Sequence, residues 1–447
     1  MPNNSQRRGG RPATIRRQYH IGLIAVAFLG TACADVTDVE APDVVQPPAL
    51  ENPLGAVARH AGVLRDFSSA VAGTVTTVSG VMTDELVSGA LSTFTADLVA
   101  DARRVVDPSP FAFSYNTLHQ IRVNALQSID ALQRFAPDPR SRIGQLYAVT
   151  GFVELYFGEQ YCSGVPLSTN RDGGVAYGAA LTTAAMLQQA LAHFDSALVY
   201  AADSARIAHM ARVGRGRTLL SLARFSDAAG AVAGVPTTYR YDLELSSTVV
   251  GQSNGTFSSL NARGVGVANR EGGVGLDFRT ASDPRVPTAA NGRGADGITD
   301  IFVFSRYNSL AAAVTLAGGV EARLIEAESA LQANRNDTSP TGTGWLGILN
   351  ALRSTAITPA LAPLADPGSF DARVNLIFRE RAFWLYLTGH RLGELRRLVR
   401  QYGRAAESVF PTGTYKDGLP YGTSLNLSIP EAERNNPEYQ GCLDRNA

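Results

Sequence analysis

The stretch at residues 183–236 reads TAAMLQQALAHFDSALVYAADSARIAHMARVGRGRTLLSLARFSDAAGAVAGVP. Its first part repeats large apolar residues at intervals of three or four, a spacing that places them on one face of a helix. Alanines lie where a neighbouring helix would approach closely. These positions are Leu187, Leu191, Phe194 and Leu198, with Ala190, Ala197 and Ala201. The stretch therefore predicts packed α-helices.

The second part of this stretch predicts a further helix pair. A polar turn at residues 224–227 breaks the pattern, and Pro236 stops it. Small residues at fixed places between large ones, with a short turn and a closing proline, resemble tetratricopeptide repeats. Generic antiparallel helices would show the same pattern, so this segment alone leaves both readings open.

Helical spacing continues on both sides of this stretch, at residues 54–71, 118–135, 143–161, 320–334, 344–354 and 372–402. We therefore predict a mainly α fold, with tetratricopeptide-like helix pairs forming an α-α superhelical scaffold. Two long insertions, at about residues 74–115 and 239–319, lack helical periodicity. Both contain aromatic residues, which argues against plain disorder. We expect them to be folded, irregular and part of a ligand site.

The N-terminus reads as an export signal. A leader with five arginines and no acidic residue precedes an uncharged run at residues 21–32. Such a run spans about 18 Å as a helix, too short for a hydrocarbon core of ~30 Å, so residues 1–32 are predicted to be a signal peptide. The small residues before Cys33 resemble a lipobox, which predicts an acylated Cys33. Ordinary cleavage near Ala32 and a twin-arginine signal at Arg16 and Arg17 are the alternatives.

The mature chain divides into a tether and one body. Residues 34–48 contain four acidic residues, three prolines and no basic residue, which predicts a lipid-anchored tether over residues 33–51. The remaining residues, 52–447, are predicted to form a single domain. The chain has 40 basic and 40 acidic residues and no basic block after the leader, so nucleic acid is not an expected partner.

Three cysteines exclude a disulfide-dense scaffold. If Cys33 carries lipid, Cys162 and Cys442 remain as an even pair in a chain that has left the reducing cytoplasm. A disulfide between them is predicted. Two unrelated buried thiols are the alternative.

Five segments, taken in order, carry a resemblance. GFVELYFGEQYCSGVPLS (residues 151–168) is followed by EARLIEAESALQAN and GWLGILNALRS, then by RERAFWLYLTGHRLGELRRL, then by NLSIPEAERNNPEY. This order resembles the SusD/RagB family of nutrient-binding outer-membrane lipoproteins. Trp384 and Thr388 depart from it, since the family often has glutamates there. The matching residues over 320–440 are Glu321, Glu326, Glu328, Asn350, Arg353, Glu380, Arg381, Gly389, Arg391, Glu394, Leu395, Arg397, Ile429, Pro430, Glu433, Asn436 and Pro437.

The resemblance implies a SusD-like fold and a binding protein without catalysis. Such a protein lies on the cell surface of the outer membrane, held by its lipid anchor. It captures an oligosaccharide or a peptide and delivers it to a SusC-like TonB-dependent barrel. Two rival functions stay open: a periplasm-facing repeat scaffold that binds peptides, and a lipid-anchored glycosidase.

The sequence offers no local signature of catalysis. It lacks HExxH, GxSxG and P-loop motifs, so no catalytic residue, cofactor or metal is predicted. Paired carboxylates for glycoside cleavage would first be sought at Asp84 with Glu85, or at Asp97 with Asp101. Residues 283–300 offer oxygen ligands but depart from EF-hand spacing. Within the family motif, Glu380 and Arg391 are predicted to form a structural ion pair.

A sugar site needs exposed rings among amide, carboxylate and guanidinium groups. The two insertions supply such residues, and packing of the rings in the core is the alternative. The candidate ligand-binding residues are Phe94, Tyr239, Tyr241, Phe257, Phe278, Asn291 and Arg293.

Overall fold

Helices dominate the part of the chain that the computed structural model describes, namely residues 50–91, 95–105, 111–171 and 174–446. The leader, Cys33, the tether up to residue 49, and Phe94 lie outside these residues. No helix within them is long and apolar enough to cross a membrane. The helices are α1 (Pro53–Ala70), α2 (Thr76–Val81), α3 (Thr95–Asp101), α4 (Ala112–Phe135), α5 (Ser141–Gln160), α6 (Thr183–Tyr200), α7 (Ala205–Ser221), α8 (Phe225–Val232), α9 (Gly255–Asn261), α10 (Gly319–Ala333), α11 (Trp345–Thr355), α12 (Phe370–Trp384) and α13 (Arg391–Tyr402).

The stretch at residues 183–236 forms α6, α7 and α8. The hydroxyl oxygens of Thr182 and Ser204 accept hydrogen bonds from the first turns of α6 and α7, satisfying amides that helices leave unpaired. The predicted apolar face of α6 is buried, including Leu187 and Phe194, whereas Leu198 is only partly buried. Local periodicity thus fixes this part of the fold.

Helices that follow each other along the chain also pack against each other. In this way α4 packs on α5, α5 on α6, α6 on α7, α7 on α8, and α10 on α11, while α10 also packs on α8 across the intervening second insertion. The connections from α4 to α5, α6 to α7 and α7 to α8 contain only three to five residues, so these neighbours run antiparallel. The prediction of a mainly α fold built from helix pairs is confirmed.

Glycines on one side of α5 allow the close packing of α6. A Cβ atom added at Gly151 would meet the Phe194 ring at 3.0 Å, and one at Gly158 would meet Leu187 at 2.9 Å. Both distances are shorter than a carbon–carbon contact allows. The two glycines are seven residues apart, which keeps them on the same side of the helix.

The first predicted insertion is more helical than the sequence suggests. A π-helical turn, Val71–Val75, joins α1 directly to α2, and α3 follows β1 (Leu86–Ser88). Every residue of α2 is buried. A helix that is buried on all sides has no polar face, so it shows no amphipathic period. The expectation of irregular structure was therefore wrong over residues 74–81, and it was also wrong over α3.

The second insertion consists of short strands and turns together with one short helix, α9. Its β-strands are β6 (Arg240–Asp242), β7 (Val265–Val267), β8 (Thr288–Arg293), β9 (Asp300–Phe304) and β10 (Thr315–Gly318), with a 3-10 turn at Glu271–Gly273. The antiparallel pairs are β6 with β10, β8 with β9, and β7 with β1 of the first insertion. The last pair holds the two insertions together. The remaining strands, β2 (Val165–Pro166), β3 (Thr169–Arg171), β4 (Gly174–Ala176) and β5 (Ala180–Leu181), pair as β2 with β5 and β3 with β4.

The C-terminal arm is tied to the end of α5. Cys162 and Cys442 form a disulfide with their Cα atoms 5.7 Å apart, within the usual range. The backbone amide of Cys162 also donates to the Leu427 carbonyl at 2.8 Å. The arm includes 3-10 turns at Ala406–Ser408 and Glu431–Asn435 but no α-helix after α13. These two links fasten a segment that has no apolar helix face of its own.

Glu380 and Arg391 do not pair with each other, which corrects the prediction for the family motif. Arg391 instead binds Asp84, with Nε 2.6 Å from Oδ1, and Glu380 binds Arg285 and Arg353 at 2.6 and 2.7 Å. Both residues are buried and charge-compensated, as expected for structural groups. Their partners come from the insertions and from α11, which the spacing within the motif does not reveal.

Candidate functional site

A cleft of about 720 Å³ lies where the β6–β10 pair meets the C-terminal end of α12. We call it the Trp384 cleft, after the largest half-buried ring on its wall. Two other cavities, of about 950 and 900 Å³, lie among the scaffold helices and contain none of the predicted ligand residues. The Trp384 cleft combines rings with charged and hydroxyl side chains, as a small-ligand site requires. Its lining includes Tyr239, Arg240, Arg306, Glu321, Trp384, Thr388 and His390.

The ring of Trp384 is held on one side by an arginine. The Arg285 guanidinium carbon lies 5.0 Å from the ring centroid, a cation–π distance. Arg285 is itself fixed by Asp283 and Glu380, at 2.7 and 2.6 Å. The buried indole N–H has no hydrogen-bond acceptor among the described residues. The cleft wall thus presents a ring that is held in position, while its N–H is buried away from the cavity.

Tyr239 forms a second fixed ring on the wall. Its hydroxyl donates to the Arg206 carbonyl at 2.7 Å, and its ring packs edge-on against His209 with centroids 5.1 Å apart. Burial is the main reason that the pKa of the Tyr239 hydroxyl is raised. The phenol is therefore neutral, and the half-buried ring is held by α7.

A buried polar network lies beneath the cleft. His390 Nε2 is 3.0 Å from Glu321 Oε1 and 2.9 Å from the Arg217 guanidinium, while His390 Nδ1 is 2.8 Å from the Thr388 hydroxyl. Arg217 also pairs with Glu159. Burial raises the pKa of Glu321, but the charges of His390 and Arg217 outweigh it, so the net pKa is lowered. Glu321 is therefore an ionised, occupied acceptor.

Solved structures with the same architecture cover most of this chain. A SusD superfamily protein from Bacteroides thetaiotaomicron aligns with a TM-score of 0.64 at 13% identity, over 88% of this chain and 100% of the other. One from Bacteroides fragilis aligns at 0.63 and 15% identity, over 87% and 99%. A laminarin-binding SusD-like protein aligns at 0.62 and 16% identity, over 88% and 99%. The chain has the SusD fold. The resemblance read from its motifs is confirmed at that level.

Sequence similarity gives no further information about the SusD-like chain. No family model matches it, and no curated protein is significantly similar. Several of the similar structures share only 12–16% of their residues with this chain, so their side chains are free to differ from those of this chain. The tetratricopeptide-like scaffold that was predicted belongs to this fold, whereas the ligand has to be inferred from the residues of the cleft.

Two of the predicted ligand residues belong to the core. Phe278 is fully buried, with its ring centroid 5.1 Å from Phe383 and 4.8 Å from Tyr386. Tyr241 is 5% exposed, and its hydroxyl accepts a hydrogen bond from Gln145 at 2.6 Å. Both rings pack where the second insertion meets the helices. Their prediction as exposed ligand contacts is corrected.

Three other candidates lie around α9 and the β8–β9 pair. Phe257 is half-buried against the core on α9. The Asn291 amide donates to the carbonyls of Leu260 and Asn261 at the end of the same helix. Arg293 is exposed and lies 3.7 Å from Asp300. None of these candidates lines the Trp384 cleft, so of the predicted residues the structure describes, only Tyr239 does.

The residues that sequence reasoning missed are Trp384, Arg240 and Arg306. The sequence did distinguish Trp384 from its neighbours, because it departs from the family pattern within an otherwise matching motif and could have been chosen as a candidate for that reason. Arg306 lies in the second insertion, but nothing in its neighbours distinguishes it from other loop arginines. Its place in the cleft depends on the neighbouring rings of Phe304, which packs on Tyr386, and of Tyr307, whose hydroxyl donates to the Leu387 carbonyl just after α12.

The carboxylate pairs suspected of glycoside cleavage lie outside the cleft, and Asp84 and Asp101 contact side chains of the protein itself. Asp84 binds Arg391, while burial raises the pKa of its neighbour Glu85 to about 8. Asp101 is buried and accepts a hydrogen bond from the Tyr415 hydroxyl at 2.6 Å. Neither pair lines the Trp384 cleft.

The oxygen-rich loop considered for calcium is occupied by an internal cation. The Asp296 carboxylate in this loop lies 3.0 Å from the ammonium of Lys416, and Thr299 also receives a hydrogen bond from that ammonium. The described residues contain no group of three histidine, cysteine or acidic side chains placed to hold a metal ion. The Lys416 ammonium thus compensates the negative charge of Asp296 in this loop.

Proposed function

We propose that this protein belongs to the SusD/RagB family and captures an oligosaccharide in the Trp384 cleft. In this proposal it works from the cell surface, held by lipid on Cys33, and delivers its ligand to a SusC-like TonB-dependent barrel in the outer membrane. Binding and release suffice for this role, so no catalytic group is assigned. The observation that carries the proposal is the cleft itself, with two fixed rings and two arginine side chains in its lining, in a SusD fold.

The chemistry of the cleft suits a sugar. A pyranose ring presents a flat C–H face that packs on an aromatic ring and hydroxyl edges that need hydrogen bonds. Trp384 and Tyr239 provide rings held by neighbouring groups, which lowers the entropy cost of binding. Similar structures include a SusD-like carbohydrate-binding protein from Bacteroides vulgatus and the laminarin-binding protein, which supports a glycan as the ligand class.

Calorimetry with a panel of soluble oligosaccharides, including laminarin fragments, tests the cleft. Trp384→Ala is expected to weaken binding at least about tenfold, because a central tryptophan is a typical binding hot spot. Trp384→Phe keeps a ring and should retain part of the affinity. Phe113→Ala is the matched control, since Phe113 is 73% exposed on α4 and lies outside the cleft. Unchanged binding by a folded Trp384→Ala variant would overturn the assignment.

Cell fractionation tests the location and the partner. Cys33→Ser should release the protein from membranes, and protease treatment of intact cells should degrade the wild-type protein. Purification from mildly solubilised membranes should recover a TonB-dependent barrel. Protection from the protease without an associated barrel would favour the periplasmic scaffold. Shortened glycan products in the calorimetry samples would favour the glycosidase.

A further inference from the structure

Two arginines face the Trp384 cleft from the second insertion. Arg240 pairs with Asp242 at 3.0 Å, yet its side chain is 60% exposed. The Arg306 guanidinium donates to the Pro284 carbonyl at 2.9 Å and has no carboxylate within ion-pair distance among the described residues. Both side chains line the same cavity. The cleft therefore contains one uncompensated positive charge beside a partly compensated one.

These two charges affect each other. Partial desolvation, followed by the positive charge of Arg240, lowers the pKa of Arg306, and the charge of Asp283 only partly opposes this. Arginine stays protonated at neutral pH, so the lowered pKa reflects a charge that is partly desolvated and, to a smaller extent, repelled by Arg240. An anion placed beside both guanidinium groups would relieve this repulsion.

The carboxylates near the cleft are already occupied. Glu321 contacts His390, and Asp242 accepts hydrogen bonds from Arg240 and Thr315. Asp283 and Glu380 both bind Arg285. The Arg306 guanidinium remains as a donor without a carboxylate partner. A cleft with surplus donors and charge is complementary to an oxyanion, which arginine binds in two-point geometry.

We propose that the Trp384 cleft selects acidic oligosaccharides, binding a uronate carboxylate or a sulfate ester between Arg306 and Arg240 while a sugar ring packs on Trp384. This inference rests on the proposed function and names its ligand class. Neutral sugars would use the same rings but leave the Arg306 guanidinium without an anionic partner.

Calorimetry at 50 and 500 mM NaCl tests the selection, with tetragalacturonate as the uronate, a carrageenan tetrasaccharide as the sulfate ester and galactotetraose as the neutral counterpart. We expect at least one of the two acidic ligands to bind at least tenfold more tightly than galactotetraose at low salt. That advantage should shrink at high salt, because screening weakens exposed charge interactions. A comparison of the two acidic ligands identifies the preferred oxyanion.

Variants separate the charge effect from the fold. Arg306→Gln should weaken acidic binding at least tenfold and neutral binding less than twofold, and Arg240→Gln should act in the same direction. Arg293→Gln is the control, since Arg293 is 65% exposed outside the cleft and should change neither. Melting temperatures verify that each variant is folded.

The outcomes separate this inference from the proposed function. Equal affinity for acidic and neutral tetrasaccharides, with no effect of Arg306→Gln, would overturn the selection for acidic sugars and leave sugar capture intact. Equally tight binding of tetraglutamate would show that the cleft recognises acidic peptides, and would overturn the glycan class. Failure of every sugar, here and in the oligosaccharide panel, would overturn both proposals.

Discussion

Truncation of Phe278 distinguishes a core ring from a ligand ring. The side chain is fully buried, and its ring contacts those of Phe383 and Tyr386 with centroids about 5 Å away. Phe278→Ala leaves a cavity between them, and such changes cost about 3–5 kcal/mol of unfolding free energy. Unfolding entropy of ~2.1 cal/mol/K per residue gives roughly 0.8 kcal/mol/K for the ~400-residue body, so the melting temperature should fall by roughly 4–6 °C.

Urea unfolding followed by tryptophan fluorescence measures the loss, and calorimetry measures ligand binding by the folded variant at low temperature. Phe113→Ala removes the same atoms from an exposed position and should change stability by less than about 0.5 kcal/mol. A stability of Phe278→Ala equal to that of Phe113→Ala, together with lost ligand binding, would refute the core assignment and restore Phe278 to the site.

Two further predictions concern pH and the disulfide. Burial first, and nearby acids second, raise the pKa of Glu85 from 4.5 to about 8, so the folded state binds more protons than the unfolded state between these values. The contribution of Glu85 to stability therefore falls as pH rises through that window, and Glu85→Gln should flatten the decrease in urea midpoint between pH 5 and pH 8. Removing the disulfide with Cys162→Ser and Cys442→Ser should lower the unfolding free energy by up to about 5 kcal/mol, because the bond closes a loop of 280 positions. Thiol titration of the denatured, non-reduced protein checks the bond directly, and two free thiols would contradict it.

The helices were predictable where their signal is local. The apolar face of α6 follows from residue spacing, and α8 ends at Val232, four residues before the proline that was predicted to stop it. Helix α2 was missed because all its residues are buried, which removes the polar face that reveals an amphipathic helix. Any helix that is buried on all sides in a large core is equally hard to predict from residue spacing.

The site was less predictable, because exposure of a ring is a tertiary property. Phe278 and Tyr239 both come from an insertion rich in glycine and polar residues, yet one is fully buried and the other lines the cleft. The partner of Arg391 is Asp84, 307 positions away, so no spacing within the motif could identify it. Sequence indicated the region and the residue types, and packing decided which residues reach the cavity.

The motif residues and the cleft residues have different tasks. Arg381 binds Glu394 at 2.8 Å, Arg397 binds Glu328, and His390 contacts Glu321, all in the interior. Removing one member of such a buried pair leaves an uncompensated charge, which is strongly destabilising. These residues therefore constrain the fold and hold the turn between α12 and α13 that carries Thr388.

Arg240 and Arg306 are outside that network, on exposed parts of the second insertion. Substitution there changes the charge of the cleft without leaving a buried partner unpaired, since Asp242 keeps its contact with Thr315 and Arg306 has no acidic partner among the described residues. Ligand preference can thus change by single substitutions while the scaffold stays the same.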